Sequence, residues 1–218
     1  MSKARSQAPL VIDVRGTLSG GPTLDRAVAA LRAGEVVAMP TDTVYGIGVL
    51  PGVAGATARL FSLKGRSLDT PLAVLCADVD QALGLVTDAS RAVRRVAPAL
   101  WPGPLTLVLR RRSNLGYELG EPAATIGVRC PDHAVVRALA AQVGPIATTS
   151  ANPHGEQTPA TAAAVAELFG GGVSVVLDGG TCEGRPSTVI DATTAEWRVL
   201  RRGELSLDAV RAEGVPVV

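Results

Sequence analysis

The chain has few of the residue types that many functional sites require. Of its 218 residues only 2 are histidines, 3 are cysteines and 3% are aromatic. Cys76, Cys130 and Cys182 lie far apart, without a C-x-x-C pair or a neighbouring histidine. The sequence therefore predicts no zinc site, and each cysteine is expected to behave as a small apolar residue. With only His133, expected at a helix start, and His154, expected in a turn, a Ser-His-Asp hydrolase is hard to assemble.

Excess charge and long apolar runs are also absent. Lys plus Arg number 21 against 20 Asp plus Glu, so no global field attracts nucleic acid or an anionic membrane. The arginines at 110–112 are expected at a solvated strand end. No apolar run approaches the ~18 residues of a spanning helix, and the apolar stretch 8–12 is too short for a signal-peptide core. We therefore expect a cytoplasmic protein, with enough hydrophobic residues, 47%, for a sizeable core.

Apolar periodicity predicts alternating strands and helices. Strands are predicted at 36–39, 72–76, 105–109, 125–128, 146–148, 173–177, 188–191 and 197–200. Helices are predicted between Thr23 and Gly34 and at 54–63, 91–97, 134–142, 162–169 and 207–212, with Thr23, Ser90, Asp132, Thr161 and Ser206 as caps. Because the strand spacing is irregular, we expect an α/β fold in which one mixed sheet is covered by helices, as a single domain over 1–218.

Two pairs of polar residues stand out. Lys64 and Arg66 flank a glycine, and Ser150 and Asn152 lie in the hydroxyl-rich run 148–152. The chain has neither G-x-x-x-x-G-K-[ST] nor G-x-G-x-x-G, so a nucleotide would be held by scattered side chains such as Lys64, Arg66, Arg129 and Arg201. For each cation alone a surface position is the usual one, and for threonines and serines near strand ends local capping is usual.

No acid or base stands out either. Asp42, Asp69, Asp178 and Asp191 are separate in the sequence, and none is paired at a spacing that would force a shifted pKa. Catalysis would then depend on positioning and on electrostatic stabilisation of a charged transition state, as in reactions at phosphorus.

In chain order, eight motifs resemble those of the YrdC-like threonylcarbamoyl-AMP synthases. They are PTDTVYG at 40–46, KGR at 64–66, PL at 71–72, WPGPLT at 101–106, VRCPDH at 128–133, TSAN at 149–152, STV at 187–189 and RRG at 201–203. The resemblance covers residues 24–205, and eight motifs in the right order are far more specific than any one of them.

The resemblance implies a YrdC-like twisted sheet and a reaction of L-threonine, bicarbonate and ATP that gives threonylcarbamoyl-adenylate and pyrophosphate. The product would supply the threonylcarbamoyl group for tRNA through a downstream threonylcarbamoyl transferase complex. By matching position, Lys64, Arg66, Ser150 and Asn152 correspond to the catalytic tetrad; Arg66, Thr125, Ser150, Thr158 and Arg201 to ATP-binding residues; and Thr43, Arg129, Thr148 and Ser187 to threonine-binding residues. Mg²⁺ is expected with ATP, held through phosphate oxygens and water rather than by protein ligands.

Three positions depart from the family pattern. Many members have a proline at the position of Ser67 and a lysine at that of Thr70, and some have a histidine where Leu75 stands. With Thr70 in place of a lysine, a possible phosphate contact is missing, and Leu75 cannot form a hydrogen bond with a bound threonine as a histidine could.

Two alternatives remain open at this stage. One is an RNA-binding module without catalysis, suggested by the arginines at 110–112 and 201–202, which predicts salt-sensitive binding of tRNA or duplex RNA. The other is a relative that handles carbamoyl-adenylate with a different acceptor.

Overall fold

The computed structural model describes residues 8–16, 21–153 and 155–218, so that the turn predicted at His154 lies outside the described residues. The strands in these ranges are Leu10–Asp13 (β1), Val37–Met39 (β2), Gly46–Val49 (β3), Ala73–Leu75 (β4), Leu105–Arg110 (β5), Thr125–Arg129 (β6), Ile146–Ser150 (β7), Val175–Asp178 (β8), Thr188–Asp191 (β9) and Arg198–Arg201 (β10). The α-helices are Asp25–Arg32 (α1), Ala56–Lys64 (α2), Val79–Gly84 (α3), Arg91–Leu100 (α4), Ala134–Val143 (α5), Ala162–Phe169 (α6) and Leu207–Ala212 (α7).

The ten described strands form one mixed sheet in the order β1-β8-β2-β3-β7-β4-β6-β5-β9-β10. The β1–β8, β2–β8, β4–β6 and β5–β9 pairs are parallel. The other neighbours, including β3–β7, β4–β7 and β5–β6, are antiparallel. The predicted α/β fold with a mixed sheet and helices is confirmed.

Both faces of the sheet bury apolar side chains. Successive residues of β2 alternate between the two faces: Ala38 packs in the core with α2, α4, α6 and α7, whereas Val37 and Met39 pack in the core with α1 and α5. This alternation follows from the two-residue period of a strand. Burial on both faces explains why β2 is apolar throughout, without a polar face.

Most predicted helix ends are confirmed. The hydroxyls of Ser90, Thr161 and Ser206 accept backbone N–H groups of the first turn of α4, α6 and α7. Gly65 ends α2 in the left-handed conformation, with φ of 63°.

Two predicted caps are wrong. Thr23 lies in a 3-10 turn, Pro22–Leu24, that precedes α1, and the N-cap residue of α1, Leu24, makes no side-chain cap. Asp132 lies one residue before the N-cap residue of α5, His133, and its carboxylate instead accepts a hydrogen bond from Arg137 Nη1 at 3.0 Å.

The sequence prediction missed β1, β3 and α3. β3 has the sequence Gly46-Ile47-Gly48-Val49 and was missed because glycine is uncommon in strands. Gly48 is required by close approach, since a Cβ there would lie 2.8 Å from Ile146 Cγ2. β1 is an exposed edge strand, and α3 has only 6 residues, capped by Asp78. The longest described helices have 10 residues, and none meets the length and hydrophobicity needed to cross a bilayer.

Candidate active site

A cavity of about 260 Å³ opens on the part of the sheet that α1 and α5 leave uncovered. Leu75 lies at the border between the cavity and the core that α1 and α5 cover, because it packs in that core and also lines the cavity. On β6, Thr125, Gly127 and Arg129 line the cavity, while the residues between them point into the opposite core. The same alternation on β4 and β5 adds Ala73, Thr106 and Val108 to the lining.

The cavity wall carries cations and hydroxyls but no carboxylate among the described residues. Its arginine, threonine and serine lining residues are Thr41, Thr43, Arg66, Thr106, Thr125, Arg129, Thr148, Thr149, Ser150, Ser187 and Arg201. Three guanidinium groups without an acid in the wall make a site for an anion.

Lys64 connects the two polar pairs of the sequence. Its ammonium donates to Ser150 O at 2.7 Å, Ser150 Oγ at 3.3 Å and Asn152 Oδ1 at 2.6 Å. Lys64 is only 4% exposed and is the last residue of α2. The surface position that is usual for a lysine is therefore wrong for Lys64, because α2 runs one residue beyond the predicted end at 63 and its last side chain reaches the end of β7.

All three guanidinium nitrogens of Arg66 donate hydrogen bonds to the protein. Nε donates to Thr70 O at 2.6 Å, Nη1 to Thr149 Oγ1 at 2.8 Å and Nη2 to Pro71 O at 2.8 Å. Burial lowers the pKa of Arg66, and the charge of Arg201 adds to this effect. Burial also lowers the pKa of Lys64 to about 8, with a further contribution from Arg66. These groups destabilise one another in the free protein, which favours binding of a polyanion between them.

Arg129 is the most buried of the three cavity arginines, at 5% exposed. Nε donates to Gly103 O at 3.0 Å, Nη1 to Thr43 Oγ1 at 3.0 Å and Nη2 to Asp42 Oδ1 at 2.5 Å. Burial lowers the pKa of Arg129, and Asp42 opposes that effect. Sequence spacing gives no sign of this ion pair, because the fold brings Asp42 to an arginine 87 positions away.

Several hydroxyls are paired with one another. Thr41 Oγ1 lies 2.9 Å from Thr43 Oγ1, and Thr106 Oγ1 lies 2.8 Å from Ser187 Oγ. Arg201 also donates from Nε to Ser187 O and from Nη2 to Ser187 Oγ, both at 3.1 Å. Thr148 has the local role expected of a strand hydroxyl, because it donates to Ile47 O at 3.0 Å.

Eight of the eleven predicted site residues line the cavity: Thr43, Arg66, Thr125, Arg129, Thr148, Ser150, Ser187 and Arg201. Lys64, Asn152 and Thr158 lie behind Ser150 and are linked by hydrogen bonds, including Thr158 Oγ1 to Asn152 Oδ1 at 3.3 Å. Thr106 was not among the predicted site residues. Strand alternation could have indicated it, because residues two apart on a strand share a face and both Thr106 and Val108 line the cavity. Thr41 and Thr149 belong to hydroxyl-rich segments, but nothing in the sequence distinguishes them from their neighbours.

The three departures occupy different surroundings. Leu75 lines the cavity, 3% exposed, and contributes an apolar surface. Thr70 offers its backbone oxygen to Arg66, which any residue type could do. Ser67 Oγ lies 2.9 Å from Asp69 Oδ2 on the exposed loop.

Cys76, Cys130 and His133 do not line the cavity, whereas the thiol of Cys182 lies 3.5 Å from the backbone oxygen of Thr41, which does. Cys76 and Cys130 are buried, and burial raises the pKa of each thiol, that of Cys130 to about 12. Thiols of this kind are poor nucleophiles, as their predicted apolar role requires. Burial lowers the pKa of His133. Within the described part of the chain, no group of three or more His, Cys, Asp or Glu residues could hold a metal ion.

Comparison with known proteins identifies the family. The Sua5/YciO/YrdC model, described as "Telomere recombination", matches residues 29–203. A relative from Mycobacterium tuberculosis (strain ATCC 25618 / H37Rv) is 40% identical over 185 residues, 84% of this chain and 85% of its own length. The threonylcarbamoyl-AMP synthase of Bacillus subtilis (strain 168) is 35% identical over 210 residues, 94% of this chain and 61% of its own length.

Among solved structures, Sua5 of Pyrococcus abyssi complexed with L-threonine superposes with a TM-score of 0.89 at 34% identity. The match covers 96% of this chain and 62% of that protein. The family match spans most of the chain, and the eight motifs lie within or beside it. The chain therefore belongs to the Sua5/YciO/YrdC family.

Proposed function

We propose that the protein is an L-threonylcarbamoyladenylate synthase, a nucleotidyltransferase that converts L-threonine, bicarbonate and ATP into threonylcarbamoyl-AMP and pyrophosphate. The observation that carries the proposal is one cavity in which Arg66, Arg129 and Arg201 meet threonine and serine hydroxyls, with no carboxylate among the described residues of its wall. The relatives named threonylcarbamoyl-AMP synthase and the threonine complex of Sua5 support it.

The triphosphate would lie against the cations on one side of the cavity. Arg66 and Arg201 would neutralise phosphate oxygens, and Ser150 and Thr125 would present their hydroxyls, while Thr158 supports the site from behind through Asn152. Lys64 reaches the cavity through Ser150, so its charge acts at short range on the reacting phosphate. As the bond between the α-phosphorus and pyrophosphate breaks, this fixed positive charge stabilises the departing anion.

L-Threonine would bind where Arg129 and the hydroxyls converge. The guanidinium of Arg129 can pair with the α-carboxylate, and Thr43, Thr148 and Ser187 can hydrogen-bond the other polar groups. Leu75 offers an apolar contact in the same cavity.

Two orders of bond formation balance equally. The amine can combine with bicarbonate to give a carbamate and water, after which a carbamate oxygen attacks the α-phosphorus and displaces pyrophosphate. Alternatively, bicarbonate attacks the α-phosphorus first, and the amine then adds to the activated carbon with loss of water. In both orders the chain's residues hold the reactants and stabilise charge, and no covalent intermediate with the protein is needed.

Mg²⁺ is proposed as the companion of ATP. Because the described wall of the cavity contributes no carboxylate, the ion would be held by phosphate oxygens and water. It would supply additional positive charge on the triphosphate.

The proposed product is an activated carbonyl group on AMP, which a threonylcarbamoyl transferase complex would transfer to the adenosine next to the anticodon of tRNAs that read ANN codons. We propose that this takes place in the cytoplasm, and direct contact with tRNA is not required for adenylate synthesis.

The test is pyrophosphate release by purified protein supplied with ATP, Mg²⁺, bicarbonate and L-threonine. We expect release only when all four are present. Pyrophosphate release that is independent of threonine would contradict the proposal, and tight RNA binding without turnover would favour the RNA-binding alternative.

A further inference from the structure

Arg129 is fixed on three sides by groups of the protein. A guanidinium carries five N–H groups, and those engaged with Gly103, Thr43 and Asp42 involve all three nitrogens. One N–H on each terminal nitrogen is left for a ligand. Two parallel N–H groups match the two oxygens of a carboxylate, provided that the plane of the guanidinium is held in the right orientation.

Of the three groups that accept hydrogen bonds from Arg129, the carboxylate of Asp42 is the charged one. The ion pair is buried on both sides, with 7% of the Arg129 side chain and 13% of the Asp42 side chain exposed. Asp42 is not among the described residues that line the cavity, and its second oxygen, Oδ2, is buried without a hydrogen-bond partner. Asp42 thus contacts Arg129 from behind, rather than facing the space where a ligand would lie.

The charge of Asp42 works against anion binding. A carboxylate beside Arg129 offsets part of the positive charge that a substrate carboxylate would meet. The contribution of Asp42 to binding, if it is favourable, must therefore come from geometry.

We propose that Asp42 is a positioning residue, which orients the Arg129 guanidinium so that its remaining N–H groups bind the α-carboxylate of L-threonine. This inference rests on the proposed function, and it assigns to Asp42 no contact with substrate. Asp42 Oδ1 fixes Nη2, while Thr43 and Gly103 fix the other two nitrogens, and the three contacts together define the plane of the group.

Two substitutions separate geometry from charge. Asp42→Asn keeps an oxygen at the same distance from the backbone but removes the charge, whereas Asp42→Glu keeps the charge but moves the oxygens by one methylene. Asp132→Asn is the control, since Asp132 follows β6 at the surface and pairs with Arg137 rather than Arg129. L-Threonine and Mg-ATP affinities are measured by calorimetry for each purified protein, together with thermal melting.

Positioning predicts that Asp42→Glu weakens L-threonine binding by at least about tenfold while Asp42→Asn stays within about threefold of wild type. Mg-ATP affinity is expected to stay within about twofold in both variants, and Asp132→Asn is expected to match wild type. In turnover, the loss should appear in the KM for threonine rather than in the KM for ATP.

Each other outcome overturns the inference. A tenfold loss in Asp42→Asn would show that charge is the contribution of Asp42. If Asp42→Glu does not fold, Asp42→Ala replaces it, and a wild-type affinity for L-threonine in Asp42→Ala would overturn the inference. Equal losses for threonine and ATP would indicate a purely structural role, and no loss in either variant would show that Asp42 is dispensable. If wild-type protein binds no L-threonine, the proposed function itself fails, which is a separate result.

Discussion

At the scale of single residues, the site depends on burying cations that are usually exposed. Lys64 and Arg129 are almost inaccessible, Arg66 is half-buried, and burial lowers the pKa of all three. Such an arrangement costs folding stability in the absence of a ligand, because the charged forms lose hydration that their neighbours restore only in part. The same feature prepares the cavity for a polyanion.

Lys64→Met is expected to lower the rate of pyrophosphate release by orders of magnitude, with no loss of melting temperature at pH 7. The side chain keeps its volume while a desolvated charge is removed. Two of the three acceptors of Lys64 keep a second donor, since Asn152 N donates to Ser150 O at 2.9 Å and Thr158 Oγ1 to Asn152 Oδ1 at 3.3 Å, and the third, the hydroxyl of Ser150, belongs to a residue that lines the cavity. Kinetics and thermal melting are compared with Arg59→Met, an exposed cation on the same helix. A variant that retains the wild-type rate would remove Lys64 from the catalytic set.

The pKa of Lys64 also predicts how ATP binding depends on pH. In the free protein Lys64 loses its proton near pH 8, below the usual range of lysine, whereas bound phosphate favours the ammonium. Affinity should therefore be constant from pH 7 toward 8 and fall as pH rises further, because the proton must be taken up on binding. In Lys64→Arg, which stays charged, the fall should disappear even if affinity is lower throughout. Calorimetry at several pH values tests this, and a flat wild-type profile up to pH 10 would contradict it.

At the scale of elements, the ends of helices could be predicted from the sequence more readily than the pairing of strands. Ser90, Thr161, Ser206 and Gly65 mark helix ends because each satisfies backbone groups within one turn. β3 was not predictable, because its glycines reflect the close approach of β7, a contact between distant segments.

Gly203, just after β10, is also required because another segment of the backbone lies very close to it. A Cβ there would lie 2.1 Å from Pro186 O and 2.5 Å from Ser187 O, which are backbone atoms of the segment that carries Ser187. Gly203→Ala is expected to lower the free energy of unfolding by about 1–3 kcal/mol and to weaken substrate binding, because this segment must move.

The control is Gly84→Ala at the end of α3, where a Cβ meets nothing within 4 Å. Alanine there should leave stability unchanged or raise it by up to about 1 kcal/mol. Denaturant unfolding of both variants tests the pair, and equal stability of the two would contradict the assigned role of Gly203.

At the scale of the whole molecule, the sheet order assembles the site. β7, β4, β6, β5 and β9 are consecutive in the sheet although their order along the chain is different. The tetrad motifs could be predicted from the sequence by resemblance, and the mixed sheet by strand spacing. The Asp42–Arg129 ion pair and the burial of Lys64 could not, because they depend on register and on the angle at which a helix meets the sheet.

The two arginine clusters behind the RNA-binding alternative have different surroundings. Arg201 lines the cavity and donates to Ser187, which accounts for one cluster within the proposed enzyme. Arg110 is exposed at the end of β5, as expected for a solvated strand end.

The most direct measurement of the central claim follows the carbon of bicarbonate. Purified protein is incubated with ATP, Mg²⁺, L-threonine and ¹³C-labelled bicarbonate, and the adenylates are separated for mass spectrometry. The account predicts a threonine-containing adenylate that carries the labelled carbon, formed in step with pyrophosphate and absent without threonine. An adenylate that carries the label but no threonine, or the absence of any labelled adenylate from protein that binds both substrates, would contradict it.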